Sequence, residues 1–99
     1  MEHLDHLAMI MEHYDDALEE LMGAQKYAKI AAHCKDKDRK HRYHTMALQE
    51  LEHEKNIEAD AESVVSDARH ELLAAVWAHL KKHLHSWRKD IETELESMK

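Results

Sequence analysis

The first third of the chain carries mostly apolar side chains in alternating steps of three and four residues. The members of this row are Leu4, Leu7, Met11, Tyr14, Leu18, Leu21, Gln25, Ala28 and Ala32. Such spacing places a row on one face of an α-helix, so it predicts helix one over about residues 5–33. Gly23 lies inside this segment, where a glycine costs about 1 kcal/mol relative to alanine, and packing must offset that cost.

The apolar rhythm stops at residues 34–40, where charged residues alternate. Asp36 or Asp38 can cap a second helix there, because a short acidic side chain accepts hydrogen bonds from free backbone N–H groups. The next row predicts helix two over about residues 39–63, and the short connection predicts an antiparallel hairpin. The members of this second row are Tyr43, Met46, Glu50, His53, Ile57, Asp60 and Val64.

A third row follows a weaker boundary at Ser63, Ser66 and Asp67, all of which are capping residue types. We interpret it as a separate helix three over about residues 67–97 rather than a continuation of helix two. The fold class is therefore predicted as all-α, in a single domain over residues 1–99. The third row comprises Leu73, Val76 or Trp77, Leu80, Leu84, Trp87, Ile91 and Leu95.

Composition excludes several classes of protein. The absence of proline and the single glycine argue against an all-β fold, which needs many tight turns. No apolar run approaches the roughly 20 residues of a membrane span, and the acidic start does not resemble a secretory signal. The net charge of −7 argues against nucleic acid as the main partner. One cysteine forms no internal disulfide, so we expect the cytoplasm as the location.

Two polar residues occupy the apolar row of helix two. Glu50 and His53 are spaced as Glu-x-x-His, which puts both side chains on one helix face, within reach of one ion. Burying an unpaired carboxylate costs several kcal/mol, so Glu50 must be protonated, paired or bound to a metal. Chance alone gives about as many acid-x-x-His pairs as the chain contains, and this one stands out because it lies in mid-helix. The alternative is a partly exposed ion pair.

Glu20 on helix one is the candidate partner of this pair. It lies beside the main row, between the small residues Ala17 and Ala24, which leave room for an ion. Glu20 precedes the centre of the hairpin loop by about as many residues as Glu50 follows it, so both should lie at the same height. Tyr27, two turns further along, can hydrogen-bond a ligating carboxylate.

These residues make up half of a familiar ligand set. A ferritin-like di-iron site takes a Glu from each of two helices and a Glu-x-x-His from each of the other two. This chain supplies one of each. A two-fold dimer of hairpins would complete a four-helix bundle, with two metal ions at the symmetry axis.

Residues 19–27 and 49–54 resemble the ferritin-like superfamily, and most closely the half-length encapsulated ferritins, which are two-helix ferroxidases. The resemblance implies that Glu20 is a terminal ligand, Glu50 a bridging ligand and His53 the nitrogen ligand, with Tyr27 near the site. It implies two iron ions per dimer, a ring of dimers, and an encapsulin shell as partner in a protein nanocompartment. The tail, residues 94–99, does not resemble a shell-targeting peptide.

The sequence thus predicts a ferroxidase that oxidises Fe(II) with O₂ or peroxide at a site shared by two subunits, for iron storage or detoxification. Two alternatives stay open. One is a non-catalytic helical scaffold or assembly protein, and the other is a redox-inert protein that holds Zn or Mn at the same residues. We interpret the neighbouring acids Glu52, Glu54 and Glu58 as mostly a solvated face.

Overall fold

Three helices account for nearly all of the computed structural model, which describes residues 2–98. Helix α1 spans His3–His33, α2 spans Lys37–Ala68 and α3 spans Glu71–Glu96. The all-α prediction is confirmed. The helices run along one another and form a rod of 52 × 18 × 14 Å. No helix among the described residues is both long enough and apolar enough to cross a membrane.

The turn between α1 and α2 is closed by Asp36, one of the two predicted caps. Its side chain accepts a hydrogen bond of 3.0 Å from the backbone N–H of Asp38, which leaves α2 to begin at Lys37, two residues before the predicted start. Beyond the turn, Tyr27 contacts Tyr43 and Glu20 contacts His53. The second pair lies further from the turn than the first on both helices, which defines the antiparallel hairpin.

The second connection comes later than the sequence indicates. Helix α2 continues to Ala68 because Val64 and Val65 pack against the core and extend its buried length. It ends at Arg69, whose backbone is left-handed with φ 47° and ψ 45°. A non-glycine residue pays about 1–2 kcal/mol for this conformation, and the reversal makes α3 a separate helix that begins at Glu71.

The core lies along the seam where α3 covers the hairpin and where α1 meets α2. The row predicted for helix three is confirmed, since all its members are buried or half-buried. On α1 and α2 most of the buried residues are alanines, which let the two backbones approach closely. The fully buried apolar residues are Ile10, Ala17, Leu21, Ala24, Ala28, Ala31, Ala47, Leu51, Ala61, Leu73, Trp77, Leu84, Ile91 and Leu95.

The row predicted for helix one is only partly buried. Leu4 is 74% exposed and Met11 is 39% exposed, so the prediction is wrong at these positions. The reason is that α1 contacts α2 and α3 on neighbouring rows. Its alanine-rich row packs against α2, whereas Leu7, Tyr14 and Leu18 of the predicted row are half-buried against the core.

Candidate metal centre

Glu20, Glu50 and His53 meet on one side of the hairpin. Each offers one ligand atom, and these atoms all lie within 4.8 Å of one another. Glu20 Oε2 is 3.7 Å from His53 Nδ1. Glu20 comes from α1 and the other two residues from consecutive turns of α2, so the antiparallel register of the hairpin creates the cluster. The structure therefore brings together the three residues that the sequence singles out as ligands.

The cluster lies at the surface of the single chain rather than inside it. The side chain of Glu20 is 28% exposed and that of His53 is 59% exposed, so the expectation that this row of α2 is core is wrong within one chain. Successive residues turn by about 100° around a helix, and the buried row of α2 is the adjacent one. That buried row comprises Ala47, Leu51, Glu54, Glu58 and Ala61.

Gly23 leaves space for the carboxylate of Glu50, because it has no side chain. A β-carbon at position 23 would lie 3.0 Å from Glu50 Oε2, closer than side chains normally approach. No glycine among the described residues has a positive φ, so the backbone does not require glycine here. The lone glycine of the chain, which weakens α1 at its middle, leaves space for a carboxylate of the cluster.

The two carboxyl groups of the cluster compete for one proton. A side-chain hydrogen bond with Glu50 requires one of the two groups to be protonated, and it is the main cause that raises the pKa of Glu20 to about 7. Partial burial and the charge of Glu50 add to the rise, and His53 opposes it. A cation bound between the carboxylates would replace this proton.

The donor set fits a transition metal. Glu20 Oε2 is buried and accepts no hydrogen bond from the described part of the chain, so a lone pair remains available. Two carboxylate oxygens and one imidazole nitrogen match the ligand preferences of Fe, Zn and Mn ions. Three ligands from one chain leave coordination positions open, which a second set of protein ligands, water or an oxidant can take.

Tyr27 of α1 packs against a residue of α2 that lies outside the cluster. Its ring packs against that of Tyr43, with 6.1 Å between the ring centroids and 28° between the planes. Its hydroxyl makes no hydrogen bond to Glu20 or Glu50 among residues 2–98. The structure thus brings Tyr27 to Tyr43, and the predicted contact to a ligating carboxylate is not seen among residues 2–98.

A second group of charged residues escaped the sequence prediction. Glu54 is fully buried and Glu58 is 6% exposed, so interpreting them as a solvated face is wrong. Arg88 of α3 donates hydrogen bonds to both, the one to Glu54 being 2.8 Å long, and His85 hydrogen-bonds Glu58. Burial, together with a hydrogen bond that the protonated Glu54 carboxyl donates to Glu58, raises the pKa of Glu54 to about 7.

One signal in the sequence points to this buried group. Arg88 lies four residues after Leu84 and three before Ile91, within the apolar row of helix three. A basic residue in such a row predicts acidic partners opposite, because an unpaired buried charge is costly. Arg88 is thus the residue that distinguishes Glu54 and Glu58 from acids on a solvated face.

The chain was compared with known proteins at the level of families, sequences and folds. No protein-family model, curated protein or solved structure matches it. The only support for a metal site at Glu20, Glu50 and His53 is therefore the geometry of these residues. The likeness of residues 19–27 and 49–54 to ferritin-like proteins stays a prediction.

Proposed function

We propose that two copies of this chain pair through the side of the hairpin that carries Glu20, Glu50 and His53, and that the joint site oxidises Fe(II). The observation that carries the proposal is the convergence of these three ligand atoms within 4.8 Å. Within one chain the cluster holds two acids against one histidine, so a divalent cation supplies the charge that it lacks.

The need for a second copy follows from the number of ligands and from the surface around them. A di-iron site of the ferritin-like kind takes two Glu and two Glu-x-x-His sets, and one chain has half of that. Tyr43, Met46 and Ile57 lie on the same row of α2 as Glu50 and are only half-buried. A two-fold axis through this row would cover them and place each Glu50 near its counterpart.

Fe(II) is the substrate in this proposal. Carboxylate ligands favour Fe(III) over Fe(II), so they make loss of an electron easier. Two Fe(II) ions release two electrons. One O₂ takes up these electrons with two protons to give hydrogen peroxide, or one hydrogen peroxide takes them up with two protons to give two water molecules. The ions must sit close together because one oxidant accepts both electrons.

The charge of the chain supports delivery of cations to the site. Residues 1–25 contain no Lys or Arg, and acids precede Glu20 on the solvent side of α1. A surface of one sign raises the local concentration of ions of the opposite sign. Glu12, Asp15, Asp16 and Glu19 are all exposed. Acids in these positions draw Fe(II) towards the middle of the hairpin.

An anaerobic Fe(II) titration followed by air tests the proposal. We expect uptake of two iron ions per dimer, and near-ultraviolet absorbance of Fe(III) when air is admitted. Glu50→Gln should weaken iron binding at least about 100-fold, since it removes a charged ligand from the site. Glu52→Gln is the matched control, because Glu52 is exposed and lies two residues from Glu50. This variant should bind iron as the wild type does.

Two results would contradict the proposal, and each points to one of the alternatives. A wild-type protein that takes up no iron, although it assembles normally in sedimentation experiments, is a helical scaffold. A protein that is purified with stoichiometric Zn or Mn, and whose oxidation of Fe(II) is no faster than that of Glu50→Gln, is a redox-inert metal protein.

A further inference from the structure

Positive charge is concentrated at the end of the rod that contains the α1–α2 turn. Residues 26–42 hold seven of the fourteen Lys and Arg residues but only two of the twenty-one acids. These residues span the end of α1, the turn and the start of α2. Residues 26–42 are therefore a basic segment in a chain of net charge −7, although the end of α3 brings Asp90, Glu92, Glu94 and Glu96 to the same end of the rod. The proposed oxidation of Fe(II) makes no use of this basic segment.

A groove of about 430 Å³ opens in this basic end, between the first turns of α2 and the end of α3. Leu48 and Met98 contribute its apolar side chains, and Leu48 is 45% exposed. Lys37 and Lys40 add aliphatic stems that carry charged ends towards water. The complete lining consists of Lys37, Lys40, His41, His44, Thr45, Leu48 and Met98.

A hydrogen bond fixes the wall of the groove. His44 Nε2 donates to the backbone carbonyl of Leu95, at 2.9 Å, and ties the end of α3 to α2. Leu95 itself is 1% exposed and belongs to the core. The groove therefore has a defined shape rather than being a gap between loosely attached helices, and Met98 is held beside it.

We propose that this groove binds an amphipathic monoanion, namely a medium-chain fatty carboxylate. Its acyl chain would lie on Leu48 and Met98, and its carboxylate would meet the basic side chains Lys37, Lys40 and His41. The volume falls within the range of small-ligand sites, which are apolar with a few polar groups that fix orientation. The basic rim selects the sign of the head group.

Other small anions fit the groove less well. A nucleotide base stacks best on a large aromatic ring, and the aromatic rings that line the groove are the small imidazoles of His41 and His44. Inorganic phosphate would use the basic rim but leave Leu48 and Met98 in water. An acyl chain with an anionic head uses both parts of the groove at once.

A titration of the full-length protein with decanoate tests the proposal. The methyl groups of methionine are labelled with ¹³C, and the NMR signal of Met98 is assigned with Met98→Leu. We expect this signal to shift saturably with decanoate. Hexanoate should bind at least about tenfold more weakly, because each fully buried methylene contributes about fourfold in affinity. Decanol should also bind more weakly than decanoate. Added salt should weaken the binding of decanoate but not that of decanol.

Leu48→Glu should abolish binding, since it places a carboxylate on the apolar surface of the groove. Leu72→Glu is the matched control, because Leu72 of α3 is also exposed, at 65%, and lies outside the lining. Lys40→Gln should weaken decanoate but leave decanol unchanged. Far-ultraviolet circular dichroism checks that each variant is folded.

Three outcomes would overturn the inference. The first is no saturable shift of the NMR signal of Met98. The second is equal binding of decanoate by the wild type and Leu48→Glu. The third is a change of oligomeric state in Leu48→Glu combined with no binding of decanoate by the wild type, which would assign the groove to contact between copies of the chain. Iron uptake by the wild type is measured in parallel, and it reports on the Glu20 cluster whatever the groove does.

Discussion

Helix α2 carries acids on two neighbouring rows. One row is covered by α3, and the other is left open to solvent in the single chain. Glu54 and Glu58 form the covered side, where Arg88 of α3 reaches both carboxylates. Glu50 of α2 and Glu20 of α1 form the open side, where the imidazole of His53 lies 3.7 Å from Glu20 Oε2. The residue type is the same, and Glu50 and Glu54 are one helical turn apart.

The difference shows that burial alone does not identify a ligand site. The covered side contains the more deeply buried acids, yet their charge is compensated within the chain, so they hold α3 to the hairpin. The open side contains less buried acids, and no Lys or Arg forms a salt bridge with them among residues 2–98. One carboxylate oxygen on each side, Glu20 Oε2 and Glu54 Oε2, has no hydrogen-bond partner in the described chain, so the two sides differ in the arginine and not in this feature. The proposed metal site is therefore assigned to the open side, where the carboxylates have no Lys or Arg partner among residues 2–98, and not to the more deeply buried side.

The largest effect should come from breaking the covered side. Arg88→Met leaves Glu54 and Glu58 buried without a cation, and we expect it to lower the free energy of unfolding by about 3–5 kcal/mol. Urea denaturation followed by circular dichroism measures the change. The same experiment on Lys81→Met, which breaks the exposed pair of Lys81 with Glu62, should show a loss of at most about 1 kcal/mol.

Equal losses in the two variants would contradict the distinction between a buried and an exposed pair. A triple variant with Arg88→Met, Glu54→Leu and Glu58→Leu sharpens the comparison. It removes the buried charges together with their partner, so most of the lost stability should return.

The next effect concerns protons on the open side. The pKa of Glu20 is raised to about 7, so below pH 7 the metal-free site holds a proton that a cation must displace. Zn²⁺ affinity should therefore fall about tenfold for each pH unit below 7 and level off above it. Isothermal titration calorimetry in buffers of different ionisation enthalpy measures both the affinity and the proton released.

Glu20→Gln separates this effect from other sources of pH dependence. The variant cannot release a proton at position 20, so its proton release near pH 7 should drop by up to about one per ion bound. Unchanged proton release in Glu20→Gln would show that the titrating group lies elsewhere.

The smallest effect has opposite signs for stability and for binding. Gly23→Ala should raise the free energy of unfolding by up to about 1 kcal/mol, because alanine favours the helix. The same change should weaken Zn²⁺ binding several-fold, since the new β-carbon would lie 3.0 Å from Glu50 Oε2. Met22→Ala, at the exposed neighbouring position, is the control and should leave binding unchanged. A variant that is more stable and binds metal equally well would show that the space beside Gly23 is not needed.

Much of the helical structure could be predicted from local chemistry. The charged stretch after Cys34 marks the first turn, and Asp36 caps α2 as its residue type suggests. The position of the second turn could not be predicted, because its left-handed residue is Arg69 and not a glycine, the residue type that usually marks such a backbone. Val64 and Val65 gain stability by packing, so α2 continues past the capping residues that suggested an end.

The candidate site could be predicted because it depends on two kinds of spacing. The i, i+3 relation of Glu50 and His53 is fixed by the helix, and the hairpin register brings Glu20 level with them. Arg88 within the apolar row of helix three predicts acidic partners, but which acids of α2 these are could not be predicted, because that depends on how α3 rotates against the hairpin. The apolar period alone does not separate a row covered by α3 from a row left open.

The location of the cluster near mid-length, combined with the uneven charge of the hairpin, bears on how two copies would lie side by side. Glu20 is about as far from the start of α1 as from its end, so a two-fold axis there can superimpose the rods over their full length. In an antiparallel dimer, the basic α1–α2 turn of each subunit would lie against the acidic half of the other subunit. Parallel alignment would bring equal charges together, so electrostatics alone would select one of the two dimers.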